Sequence, residues 1–264
     1  MPELPDVEVF RRYLDSTSLH QRIAEVETLD EGVLADISSR QLRSKLKGQQ
    51  FQCTRRHGKY LFVGVNDGLW LVLHFGMTGY LKYFEGGDGA PRHTRLRIDF
   101  CNGHHLAYVC QRRLGEVGLT DDIERIVAHK ELGPDAMNAH VGTDSFKSLV
   151  GTARGSIKSA LMSQRRLAGL GNIYTDEILF QARVNPKTRA NKLSDDALQS
   201  LLHAMEDVVQ TAIEVKADPE DMPATYLLPH RQKGGICPRC GGPVRHEKVS
   251  GRTAYYCPRC QGTR

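Results

Sequence analysis

Hydrophobic positions change their period along this chain, and each change marks a change of architecture. At the amino end Val7, Phe10 and Leu14 recur at helical spacing. Pro5 falls in the first turn, where its missing N–H costs nothing, so residues 5–14 predict a helix. From residue 51 to 109 the period becomes two. Residues 60–65 and 69–75 read as strands around Asn66-Asp67-Gly68, in which Asp67-Gly68 is a hairpin dipeptide. Residues 80–84 follow a turn over 76–79, and 96–100 pair with 105–109 across Asn102-Gly103. A meander of this kind predicts an antiparallel sandwich or barrel.

After Leu132-Gly133-Pro134-Asp135 the pattern turns helical. Leu198, Leu201, Leu202, Met205, Val208, Val209, Ala212 and Ile213 make one apolar stripe, entered through Ser194 or Asp195 as N-cap. Ile157, Ala160 and Leu161 mark a shorter helix, residues 173–180 another, and the Pro-, Gly- and charge-rich stretch 218–235 reads as a connector. The expected class is α+β, with a β-rich domain over 1–133, a helical domain over 134–229 and a small module over 230–264.

Composition narrows the class. With 264 residues, 40% hydrophobic and 25% charged, and no apolar run near the length of about 18 that a spanning helix needs, a soluble globular protein is expected. The start, MPELPDVEVF, lacks the basic end and apolar stretch of a signal peptide, so the expected place is the cytoplasm, or the nucleoid within it. A monomer is expected. Residues 230–264 hold eight Lys or Arg against one acid, Glu247, although the whole chain is only +5. Basic charge gathered at one end suits a surface that meets a polyanion.

Seven cysteines cannot all pair within one chain. Four stand as two identical knuckles, Cys237-Pro-Arg-Cys240 and Cys257-Pro-Arg-Cys260, sixteen residues apart. Two such turns facing each other form a tetrahedron of thiolates that suits one structural Zn²⁺. The stretch between them reads as a hairpin: out over 243–249, turning at Ser250-Gly251, back over 252–256. So small a module depends on its metal to fold. Cys53, Cys101 and Cys110 lie in apolar strands and are expected in the core.

Two further features bear on chemistry. In Gly169-Leu170-Gly171-Asn172-Ile173, a glycine-rich turn opens a helix: either a cradle for phosphate on backbone N–H groups or a tight structural turn, with Asn172 as a helix cap or an added donor. At the amino end, removal of Met1 would leave Pro2 with a secondary amine, a nucleophile of the kind that forms Schiff bases, beside the carboxyl of Glu3.

Taken together, MPELPDVE, His57-Gly58-Lys59-Tyr60, His74-Phe75-Gly76-Met77-Thr78-Gly79, GLGNIYTDEILFQARVNP over 169–186 and the closing Cys-x₂-Cys hairpin resemble the formamidopyrimidine-DNA glycosylase / endonuclease VIII family from end to end. The resemblance implies an N-terminal antiparallel β-sandwich, a C-terminal helix–two-turn–helix domain with a four-cysteine zinc finger, and a DNA-binding cleft between them. It implies duplex DNA with damaged bases or abasic sites as partner, and base excision followed by strand cleavage through β- and δ-elimination. Pro2 then matches the nucleophile, Glu3 the acid/base and Lys59 the lysine that contacts phosphate near the lesion and assists catalysis. Asn172 and Arg252 match phosphate ligands. Met77 and Arg112 match residues that fill the gap left by the extruded nucleotide.

The chain departs from the family pattern in three places. Leu114 stands where an aromatic wedge is usual, Asp6 where a Glu is usual, and 216–235 lack the Gly- and Thr-rich loop expected to cap oxidised guanine. Oxidised purines are the first expectation for the lesion, oxidised pyrimidines the second, and bulky or crosslinked adducts a third. A catalytically silent damage-binding scaffold and a zinc-ribbon transcription factor are the competing readings. The first is opposed by intact Pro2, Glu3 and Lys59, the second by the β-rich first half.

Overall fold

Helix α1 (Leu4–Thr17) opens the chain; of the predicted stripe Val7 and Leu14 are completely buried and Phe10 is half-buried, and Leu4 is completely buried as well. The computed structural model describes residues 1–86, 89–137 and 141–262, and Arg264 of the basic tail lies outside them. Two units are present: 1–2 with 6–130, and 3–5 with 131–264.

In the first unit, β1 (Ile23–Thr28) is followed by α2 (Ser39–Leu46), whose Ser38 and Gln41 form a reciprocal capping box. Then come β2 (Cys53–His57), β3 (Tyr60–Gly64), β4 (Trp70–His74), β5 (Gly79–Glu85), β6 (Thr94–Phe100), β7 (His104–Cys110), β8 (Glu116–Thr120) and α3 (Ile123–His129). The strands make two four-stranded antiparallel sheets, ordered β1-β6-β7-β5 and β2-β3-β4-β8. One core joins them: Ile23, Leu96, Ile98 and Tyr108 from the first sheet meet Leu61, Val63, Leu71 and Leu73 from the second, with Val7, Leu14, Leu42 and Leu46 from the helices. Each side chain buried this fully contributes on the order of 1.5–3 kcal/mol.

The hairpins at 66–68 and 102–103 form as expected, with Tyr60 opposite His74 and Leu96 opposite Tyr108. The meander does not. β4 takes β8 as its second neighbour, and β5 joins the other sheet beside β7. The chain changes sheets in the tight corner 76–79, where Gly76 has φ +56 and Gly79 donates its N–H to Phe75 O at 2.8 Å. The expected burial of three cysteines holds only for Cys110, since Cys53 begins the edge strand β2, Cys101 sits in the turn after β6, and both are exposed.

The second unit is helical: α4 (Thr143–Phe146), α5 (Ile157–Leu161), α6 (Asn172–Gln181) and α7 (Asp195–Glu214), followed by the hairpin β9 (Arg245–Val249) and β10 (Arg252–Tyr256). Ser194 caps α7 by accepting from Ala197 N, and every member of the predicted apolar stripe is buried. Ser250 and Gly251 both have positive φ, the geometry of a two-residue hairpin turn. The stretch read as a connector is packed down: Met222, Leu227 and Leu228 are buried.

Candidate functional site

Glu3 is 1% exposed, and its carboxylate accepts from the backbone N–H groups of Gly171 (2.8 Å), Ile173 (2.8 Å) and Tyr174 (3.3 Å). These are the donors left over at the start of α6, at the positive end of its dipole. The glycine-rich turn is therefore not an open phosphate cradle: an internal carboxylate fills it. Both glycines are needed for the fit. A Cβ at Gly171 would lie 2.4 Å from the Glu3 carboxyl carbon, and one at Gly169, where φ is +117, would lie 2.5 Å from Leu4 Cδ1. Gly171 is the N-cap and Asn172 the first helical residue, so Asn172 is not the cap, and its buried Oδ1 has no hydrogen-bond partner among the described residues.

Further along α6 two carboxylates are wholly buried. Asp176 pairs with the buried Lys158, accepts from Arg231 Nη2 at 2.8 Å, and accepts from Tyr255 N on β10 at 3.1 Å. Burial pulls the Lys158 ammonium below its usual range, opposed by Asp176. Glu177 accepts from Leu227 N (3.0 Å) and Leu228 N (2.7 Å), and burial pushes its carboxyl up against those donors. One helix thus seats Glu3, the zinc hairpin and the 217–229 segment. The contacts of Asp176 and Glu177 are architectural.

The four expected ligands converge: Cys237, Cys240, Cys257 and Cys260 have sulfurs within 4.8 Å of one another. Sγ of Cys237 and Cys260 are 3.8 Å apart, those of Cys240 and Cys257 3.5 Å. A disulfide needs about 2.05 Å, whereas sulfurs each about 2.3 Å from a tetrahedral zinc stand about 3.8 Å from one another. The cluster fits Zn²⁺ with no ligand position left open. Arg252 is exposed at the first position of β10, beside the hairpin turn.

In the first unit, Lys59 occupies the two-residue turn between β2 and β3, which His57 and Tyr60 close. Gly58 has φ +57, the first central position of a type II′ turn, leaving Lys59 in the second. Nearby His74 stacks on Tyr60 at 4.7 Å, and its buried Nδ1 has no hydrogen-bond partner among the described residues. Burial holds its imidazole below the usual histidine range; Glu116 opposes this, and Lys59 and Lys130 add to it. Its backbone carbonyl accepts from Tyr108 Oη at 2.8 Å.

Met77 and the pair Arg112 and Leu114, 35 or more positions apart in sequence, lie on two loops packed together. Arg112 N donates to Thr78 Oγ1 at 3.1 Å, and a Cβ at Gly76 would meet the Leu114 carbonyl at 2.4 Å. Met77 and Leu114 are 36% and 52% exposed, two apolar side chains open to solvent on adjoining loops. The second loop is braced by Asp30, which pairs with Arg95 (3.0 Å) and with Arg113 (2.8 Å), the latter at φ +54. Sequence reasoning misses Asp30 and Arg95, because no short-range pattern connects them to residue 113.

Comparison with known proteins gives the same class. The chain matches family models for the formamidopyrimidine-DNA glycosylase N-terminal domain over residues 1–117, its H2TH domain over 132–222, and the zinc finger found in FPG and IleRS over 236–262. The formamidopyrimidine-DNA glycosylase of Pelotomaculum thermopropionicum is 33% identical, with 99% of each chain covered. The Lactococcus lactis enzyme, solved non-covalently bound to DNA containing an AP site, superposes with a TM-score of 0.90 at 28% identity, covering 99% of this chain and all of that one. The same enzyme solved with DNA containing FAPY-dG also gives 0.90 at 28% identity and the same coverage. This chain belongs to the formamidopyrimidine-DNA glycosylase family, a family of DNA glycosylase/AP lyase enzymes. No described helix is long and apolar enough to cross a membrane.

Proposed function

We propose that this protein removes damaged bases from duplex DNA and then cuts the strand, with Pro2 as nucleophile once Met1 is removed. The observation that carries the reading is the seating of Glu3: three backbone donors lock the residue next to Pro2, so the amine is presented from a fixed peptide. The Pro2 nitrogen attacks C1′ of an extruded nucleotide, the C1′–N bond breaks, and the base departs with its bonding electrons and a proton. The C1′–O4′ ring bond then opens, O4′ leaving with the bonding electrons and taking up a proton, and the iminium so formed between Pro2 and C1′ acidifies C2′. Loss of that proton expels the 3′ oxygen, and a second elimination expels the 5′ oxygen. Glu3 serves as the proton carrier at the sugar.

Lys59, on its rigid turn, contacts phosphate beside the lesion and assists these transfers. Asn172 and Arg252 hold flanking phosphates. Met77 and Leu114 wedge into the gap left by the nucleotide while Arg112 pairs with the orphaned base. The four-thiolate zinc site is structural, keeping Arg252 on its hairpin. Oxidised or ring-opened purines are the favoured lesions, in keeping with the relative solved on FAPY-dG DNA. The segments 134–229 and 230–264 act as the helix–two-turn–helix and zinc-finger parts of one DNA-binding surface, and the site of action is the nucleoid.

Duplexes each bearing one oxidised purine, one oxidised pyrimidine or one abasic site test the reading. Excision of an oxidised base with cleavage on both sides of the vacated sugar is expected. Binding with no cleavage of any of them would favour the silent damage-binding scaffold.

A further inference from the structure

Arg56 and Glu8 form a buried ion pair whose geometry has no use in the chemistry above. The Arg56 side chain is 8% exposed and that of Glu8 9%, with Arg56 Nε 3.3 Å from Glu8 Oε2. Glu8 also takes Arg11 at 2.7 Å and Arg12 at 3.2 Å, so one carboxylate serves three guanidiniums. Such a cluster is costly to desolvate, and apolar side chains of similar size would hold a strand to a helix as well. The other end of Arg56 supplies a reason for it. Its Nη1 donates to the carbonyl oxygen of Gly58 at 3.1 Å.

That carbonyl belongs to the central peptide of the β2–β3 turn, the one joining Gly58 to Lys59. Rotation of the central peptide separates one two-residue turn type from another, and it re-aims the Cα–Cβ bond of the residue that follows. Gly58, at φ +57, does little to resist the rotation by itself. We propose that Arg56 and Glu8 are positioning residues: Glu8 neutralises and orients Arg56, and Arg56 locks the peptide that aims Lys59. Because Glu8 lies on α1, the helix that follows Pro2, the pair ties the turn bearing the lysine to the segment bearing the nucleophile. This inference rests on the role given to Lys59 above.

The test is a double-mutant cycle on strand cleavage at a pre-formed abasic site, with affinity for an uncleavable abasic-analogue duplex and Tm measured in parallel. Arg56→Lys keeps a charge for Glu8 but is too short to hold the Gly58 carbonyl as well. It is expected to slow single-turnover cleavage about 10- to 100-fold, as small misplacements of reacting groups do, with duplex affinity changed less than about threefold. In a Lys59→Met background, Arg56→Lys is expected to cause little further loss, since both changes disable one device. Glu8→Gln, which keeps an acceptor oxygen, provides the same cycle should Arg56→Lys fold poorly. Losses that multiply in the double variants would overturn the proposal while leaving Lys59 in its role. Full activity of Lys59→Met alone would overturn the role of Lys59, and this proposal with it.

Discussion

Gly171 donates its backbone N–H to Oε2 of Glu3 at 2.8 Å, a bond between residues 168 positions apart. No side chain fits at that position without moving the carboxylate. Gly171→Ala should therefore lower base excision by at least about tenfold and cost about 1–3 kcal/mol of stability through overpacking. Cleavage of a pre-formed abasic site should suffer less, because no base remains to be protonated. Single-turnover rates on the two substrates, with a denaturation curve, check this; equal losses on both would argue against Glu3 as the acid.

Asp176 anchors the zinc hairpin to α6. Asp176→Asn would leave Lys158, itself 1% exposed, buried without its counter-charge. Breaking a buried pair from one side costs roughly 3–5 kcal/mol. Arg231→Met should cost less, because that side chain is 16% exposed and Asp176 keeps Lys158. Urea unfolding of both variants gives the ranking, and the reverse order would mean that Arg231, not Lys158, carries the network.

His74 supplies a pH dependence. Its folded pKa lies below the ordinary histidine value of 6.5. Between the two values the unfolded chain binds the extra proton. The His74 contribution is thus intact above about pH 6.5 and is lost as pH falls through the depressed folded value. His74→Gln should flatten the decline in stability from pH 7.5 to 5. Parallel curves for the two proteins would mean that the imidazole is not kept neutral.

Zinc removal should act on binding through the hairpin. Chelation or Cys257→Ser should abolish tight duplex binding, and Arg252→Ala should weaken it about equally across sequences while lowering the salt slope by about one. Titrations at several salt concentrations measure both. An unchanged slope would remove Arg252 from the phosphate contacts.

The sequence makes some of this legible and hides the rest for physical reasons. Helices α1 and α7 and the strands pairing 60–64 with 70–74 carry regular apolar periods and are visible. β2 is not, since Cys-Thr-Arg-Arg-His contains no core-facing aliphatic residue, and β8, Glu-Val-Gly-Leu-Thr, carries only two aliphatic side chains on either side of a glycine. The crossing of β5 to the other sheet rests on the 76–79 corner, whose partner is the backbone of residue 114, beyond any local pattern. Within the site, the cysteine knuckles announce themselves by spacing and Pro2, Glu3 and Lys59 by motif. The filling of the α6 amino end by Glu3, and the braces Asp30–Arg95 and Glu8–Arg56, join positions that only the fold brings together.

In the proposed reaction the nitrogen of Pro2 bonds to the sugar. Borohydride reduction during reaction with an abasic duplex, followed by proteolysis and mass spectrometry of the crosslinked peptide, tests it most directly. One adduct is expected on a peptide beginning at Pro2, absent from Pro2→Gly treated alike. An adduct mapped to a lysine, or undiminished trapping by Pro2→Gly, would contradict it.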